Sequence, residues 1–117
     1  MPTETPRATG SWQVLPISGD VDLASAPSLR EHLTEITEAA PAFVVIDMAD
    51  LEFIDSTGLG VLVGTLRRVR AAGGDVRLAR ARTGIARVFA VTGLDRVFSL
   101  YPSLDDAMND QRAPETL

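Results

Sequence analysis

Apolar, β-branched runs alternate with amphipathic helical patterns four times along this chain, and that alternation limits the possible folds severely. Trp12–Ile17, "WQVLPI", predicts a strand, and "SGDVDLASAP" then turns the chain. Leu29, Leu33, Ile36 and Ala40 recur at one-face spacing, predicting a helix that Ser25 caps and Pro41 stops. Phe43–Met48 is a continuous apolar run, the pattern of a strand buried on both faces, followed by "ADLEFIDS" as a connector with a short extended piece. A second helix is expected from about Thr57 to Ala72, with Leu59, Leu62, Val63, Leu66 and Val69 facing inward and Gly73-Gly74 as a left-handed stop. Small Gly60 and Gly64 are expected to let this helix approach the sheet. Asp75–Ala79 predicts a strand, and Thr83 opens a third helix that turns Ile85, Val88 and Phe89 inward until Gly93. Arg96–Leu100 predicts a short last strand. Ser103, with Asp105 and Asp106 suited to the helix dipole, opens a last helix. Strand–helix alternation of this kind means an α/β layer of parallel strands joined by helical crossovers.

At 117 residues the chain makes a single small domain with one core. Residues 1–11, interrupted by Pro2 and Pro6, read as a loose segment with room for a poor edge strand. The domain is expected over 12–110, with a polar tail over 111–117. A formal net charge of −5 opposes contact with nucleic-acid phosphates. All 11 basic residues are arginine and there is no cysteine, which excludes disulfides, thiolate metal sites and a cysteine nucleophile. No basic leader precedes an apolar core, and no apolar run reaches membrane-spanning length, so a cytoplasmic location is expected. No cofactor or metal site is expected. Asp20, Asp22, Asp47, Asp50 and Asp55 read as solvated loop acids.

The functional question gathers on "FIDSTGLGVLV", Phe53–Val63. Ser56 fits a helix N-cap, a role worth about 1 kcal/mol that leaves its hydroxyl available. A hydrolase nucleophile needs a base, and the one histidine, His32, has no pattern linking it to Ser56. The Gly-x-Ser-x-Gly elbow is missing because Ile54 holds its first position. Gly58, Gly60 and Gly64 imitate a dinucleotide fingerprint, but Asp75 begins the next strand instead of ending it. A P-loop requires lysine. The remaining reading makes Ser56 a substrate. A hydroxyl at a helix mouth can carry phosphate, with the backbone N–H groups of Thr57, Gly58 and Leu59 expected to point toward it. A partner docked there would have to bury about −1.5 to −2 charges without a counter-ion.

"SGDVD" (18–22), "VVIDMADLEFIDSTGLGVLVGTLRRVRAAGGDVRLA" (44–79) and "VFAVTGLDRVF" (88–98) together resemble the STAS domain. More narrowly they resemble the stand-alone bacterial anti-sigma factor antagonists. The resemblance implies an α/β domain with a mixed sheet of about four or five strands, helices mostly on one side, and no catalysis of its own. It implies binding to an anti-sigma factor that is also a serine kinase, which frees a sigma factor. Phosphorylation of Ser56 would end that binding and a phosphoserine phosphatase would restore it. It further implies partner contacts at Asp22, Asp55, Ser56, Thr57, Gly58 and Leu59. The alternative is an adaptor subunit of a lipid-transport ATPase complex or a stress-signalling scaffold, without the switch.

Overall fold

The computed structural model describes residues 12–111, so the expectations for the 1–11 segment and for the tail beyond Gln111 lie outside the described residues. Strands and helices alternate as β1 (Gln13–Val21), α1 (Ala26–Ile36), β2 (Phe43–Ile54), α2 (Ser56–Ala71), β3 (Asp75–Ala79), α3 (Thr83–Val91), β4 (Leu100–Tyr101) and α4 (Leu104–Asn109). The described strands form one sheet in the order β1-β2-β3-β4, with every pairing parallel. A mixed sheet was expected, whereas the four described strands are all parallel; the poor edge strand expected within 1–11 lies outside the described residues.

Alternate residues of the central strands serve two layers. Val44, Ile46 and Met48 of β2, with Val76 and Leu78 of β3, join Leu29 and Leu33 of α1, Leu62 and Leu66 of α2, and Phe89 of α3 in the main core. Val45 and Ala79 face the other way, against Trp12 and Ala107 of α4. Helices α1, α2 and α3 thus cover one face and α4 the other.

Several boundaries differ from expectation, each for a packing reason. Residues Ala49–Ile54 are not a connector. They prolong β2 beyond the last β3 pairing, Asp47 with Ala79, so that β1 and β2 continue as a two-stranded overhang ending at Val21 and Ile54. Helix α1 stops at Ile36, short of Ala40; at its end Thr37 donates its hydroxyl to the Leu33 carbonyl at 2.6 Å and accepts Arg68 of α2 at 2.9 Å, which packs this end against α2. Ser25 makes no side-chain cap bond to α1. The last strand, expected over Arg96–Leu100, forms only at Leu100–Tyr101, because a 3-10 turn, Leu94–Arg96, follows Gly93 at φ 79° and takes up its first residue. Phe98 then plugs the core edge-to-face against Phe89, and pairing waits until Leu100. Gly73 does end α2 with φ 90°, donating to Arg70 O at 3.0 Å.

A buried charge network ties the second layer together. Asp75 and Arg77 are 2% and 4% exposed. Asp75 lies 2.9 Å from Arg70 Nε and 3.6 Å from Arg77 Nε. The Arg77 guanidinium stacks 4.3 Å from the Trp12 ring centre and donates through Nη1 to the Ala107 and Asp110 carbonyls at 2.7 and 2.9 Å. Arg77 thereby satisfies carbonyls at the end of α4 that the helix itself cannot.

Candidate functional site

The overhang of β1 and β2 brings two strand-to-helix junctions together. Asp55 N–H donates to Val21 O at 3.1 Å, joining the corner before α2 to the corner before α1. The first turn of α2 can sit so close because residue 58 is glycine. A Cβ there would meet Val21 Cγ1 at 2.6 Å and Ile54 Cγ1 at 2.8 Å. The close-packed glycine is therefore Gly58, whereas Gly60 and Gly64, expected in that role, have nothing within 4 Å of a built Cβ.

The cap of α2 is Asp55, with extended backbone at φ −105°, ψ −174°. Its Oδ1 accepts the Thr57 and Gly58 N–H groups at 2.9 and 3.1 Å, while Leu59 N–H donates to Asp55 O at 2.9 Å. This corrects two expectations. Ser56 is the first helical residue and not the cap, and the amides expected to cradle a phosphate are already engaged. Aspartate and serine cap about equally well, and here the carboxylate reaches back to the helix's positive end. Ser56 is exposed, and its hydroxyl has no hydrogen-bond partner among the described residues.

The other expected contact residues divide by burial. Asp22, Asp55 and Thr57 are half-buried, while Gly58 and Leu59 are buried. The latter two seat the first turn of the helix against the β1–β2 overhang. Asp22 Oδ1 accepts the Ala24 and Ser25 N–H groups, each at 3.1 Å, and Ser25 Oγ accepts Asp22 N–H at 3.0 Å. That reciprocal lock holds the turn before α1, and the sequence signal for it was only the spacing of Asp22 and Ser25.

One further ion pair braces the foot of the overhang. Arg80, in the left-handed region at φ 63°, grips Asp47 through Nε–Oδ1 at 3.0 Å and Nη2–Oδ2 at 2.6 Å. The Arg80 hydrogen bonds hold the Asp47 carboxyl below the usual carboxylate range against the opposing effect of burial. Arg82 Nε adds a bond to Ala49 O at 2.9 Å. Sequence reading missed this clamp because Asp47 and Arg80 are 33 positions apart.

His32 is exposed on α1 and forms no hydrogen bond with Ser56. Among the described residues no group of three or more His, Asp or Glu side chains converges as a metal shell requires, and no helix is long and apolar enough to cross a membrane. Ser56 thus presents an exposed hydroxyl where the β1–β2 overhang meets the start of α2. The chain belongs to the STAS domain family, whose model matches residues 3–107. It is 39% identical over 84 residues to an anti-sigma-B factor antagonist of Bacillus subtilis, covering 72% of this chain and 76% of that one. It is 34% identical over 101 residues to the anti-sigma-F factor antagonist RsfB of Mycobacterium tuberculosis, covering 85% and 80%. The crystal structure of an anti-sigma factor antagonist from Mycobacterium paratuberculosis superposes with a TM-score of 0.73 at 34% identity, over 85% of this chain and 86% of that one. Antagonists of this family are regulatory binding proteins and not enzymes.

Proposed function

We propose that this chain is an anti-sigma factor antagonist whose binding is switched off by phosphorylation of Ser56. Its partner is an anti-sigma factor that is also an ATP-dependent serine kinase. Docking frees the sigma factor in the cytoplasm without direct contact to DNA, and a phosphoserine phosphatase resets the switch. The observation that carries this reading is the placement of Ser56: exposed, unpartnered, and anchored between Asp55 and the buried Gly58-Leu59. Asp22, Asp55 and Thr57 border it.

The engaged amides strengthen the logic of the switch. With Thr57, Gly58 and Leu59 already donating to Asp55, a phosphate on Ser56 has no ready amide cradle to fold into. It projects from the surface beside a carboxylate. A partner covering it would bury a dianion without a counter-ion, at a cost of about 3–5 kcal/mol. Each 1.4 kcal/mol is about tenfold in affinity, so a loss of about a hundredfold or more follows.

The test is phosphorylation by the purified anti-sigma factor kinases of the source organism with ATP and magnesium. The intact mass should gain one phosphate, the Thr57→Ala variant should behave likewise, and Ser56→Ala should gain none. Equal labelling of Ser56→Ala would refute the assignment.

A further inference from the structure

The core leaves out two large apolar side chains at the same corner as Ser56. Leu23 is 74% exposed and Phe53 is 48% exposed. The remaining exposed large apolar residues stand elsewhere, Val14 near the start of β1 and Val91 at the end of α3. The register explains why the first two converge. Val21 pairs with Ile54 and its carbonyl takes the Asp55 N–H, so Leu23 lies two residues past one side of that junction and Ser56 two past the other. Phe53 immediately precedes the junction, opposite Asp20.

We infer that Leu23 and Phe53 are the apolar anchors of the docking face at the corner that carries Ser56. This rests on the antagonist reading and adds to it the kind of surface the partner must present. Exposed Asp20, Asp50 and Glu52, with half-buried Asp22 and Asp55, border the anchors. The nearby cations are committed below them, Arg80 to Asp47 and Arg82 to the Ala49 carbonyl. An apolar centre with a charged rim is the usual anatomy of a protein interface, in which a few large side chains supply most of the affinity. The occupant is the anti-sigma factor, meeting the anchors with an apolar patch and the acidic rim with Arg or Lys. A second copy of this chain would set one acidic rim against another.

The partner's cations are matched to exposed Asp20, Asp50 and Glu52 on the strands, whereas Ser56 stands past the junction on α2, so a phosphate there adds its charge next to half-buried Asp55.

Two kinds of variant separate these contributions when binding to the purified anti-sigma factor kinases of the source organism is followed by surface plasmon resonance. Leu23→Ala and Phe53→Ala should each weaken binding about tenfold, mainly by faster dissociation, with the melting temperature unchanged. Glu52→Gln should slow association and reduce its salt dependence, and Val91→Ala should bind within about twofold of the parent. If the parent chain binds and is released on phosphorylation while Leu23→Ala/Phe53→Ala binds equally well, the anchors are wrong and the antagonist reading stands. If none of those kinases binds the parent chain, both fall. A concentration-dependent dimer that Leu23→Ala dissociates would assign the face to self-association and overturn the inference.

Discussion

Asp75 opens β3 and Asp55 follows β2, so in a parallel sheet these two aspartates stand at opposite edges of the layer. Asp75 is 2% exposed and lies between the guanidinium groups of Arg70 and Arg77, the second of which also holds the end of α4 and stacks on Trp12. Asp55 is half-buried, pairs with no arginine among the described residues, and uses one oxygen to cap α2 while Ser56 beside it faces solvent. The same residue type is locked by opposite charge at one edge and held by backbone amides at the other. Burial with opposite charges makes a site that cannot change. Capping by Asp55 leaves the neighbouring hydroxyl exposed, as the proposed switch requires.

That contrast is broken most forcefully at the buried edge. Asp75→Ala leaves two buried guanidinium groups without their carboxylate and should cost about 3–5 kcal/mol in urea unfolding. A loss below about 1 kcal/mol would show that the network is not structural. At the rim, Ser56→Ala should change stability by less than about 0.5 kcal/mol. Next in size is the glycine at the junction. Gly58→Ala forces a Cβ into Val21 and Ile54 and should cost about 1–3 kcal/mol, whereas Gly60→Ala, with open space around it, should stabilise α2 by up to about 1 kcal/mol. Similar unfolding midpoints for the two variants would remove the reason α2 starts where it does.

Asp55 tests the rim directly. Replacing it by alanine frees two helix amides and should cost about 1–2 kcal/mol, while asparagine caps nearly as well and should cost less than about 0.5 kcal/mol. Loss of partner binding in a stably folded Asp55→Asn variant would separate contact from capping. The smallest effect concerns the brace at Asp47. Because Arg80 holds its folded carboxyl below the unfolded value, the stabilising contribution is complete above the unfolded pKa and declines as pH falls through the folded one. Acid titration of stability should therefore be shallower for Asp47→Asn below about pH 4 than for the parent. Parallel acid curves would contradict the brace.

Much of the fold was legible because hydrophobic periodicity is local. The strand Asp75–Ala79 and the stop at Gly73 follow from neighbouring residues alone. The overhang was not legible, since β2 carries an extra residue at each of its two register shifts against β1, which breaks the alternation and leaves Glu52 and Phe53 both exposed. Nor was the role of Phe98, whose apolar character serves the core and not a strand. At the site, the motif located the right corner. Composition could not choose between two adjacent capping residues, and only the extended backbone of Asp55 decides for it over Ser56. The role of Arg77 stayed hidden because Trp12 and the end of α4, on which it stacks and to which it donates, come from distant parts of the chain.

A single paired experiment bears most heavily on the account: partner affinity and urea stability determined on one preparation before and after stoichiometric phosphorylation. Affinity should drop by about two orders of magnitude while the unfolding free energy moves by less than about 0.5 kcal/mol. Unchanged affinity, or a loss that comes only with unfolding, would mean that the charge on this rim does not govern docking.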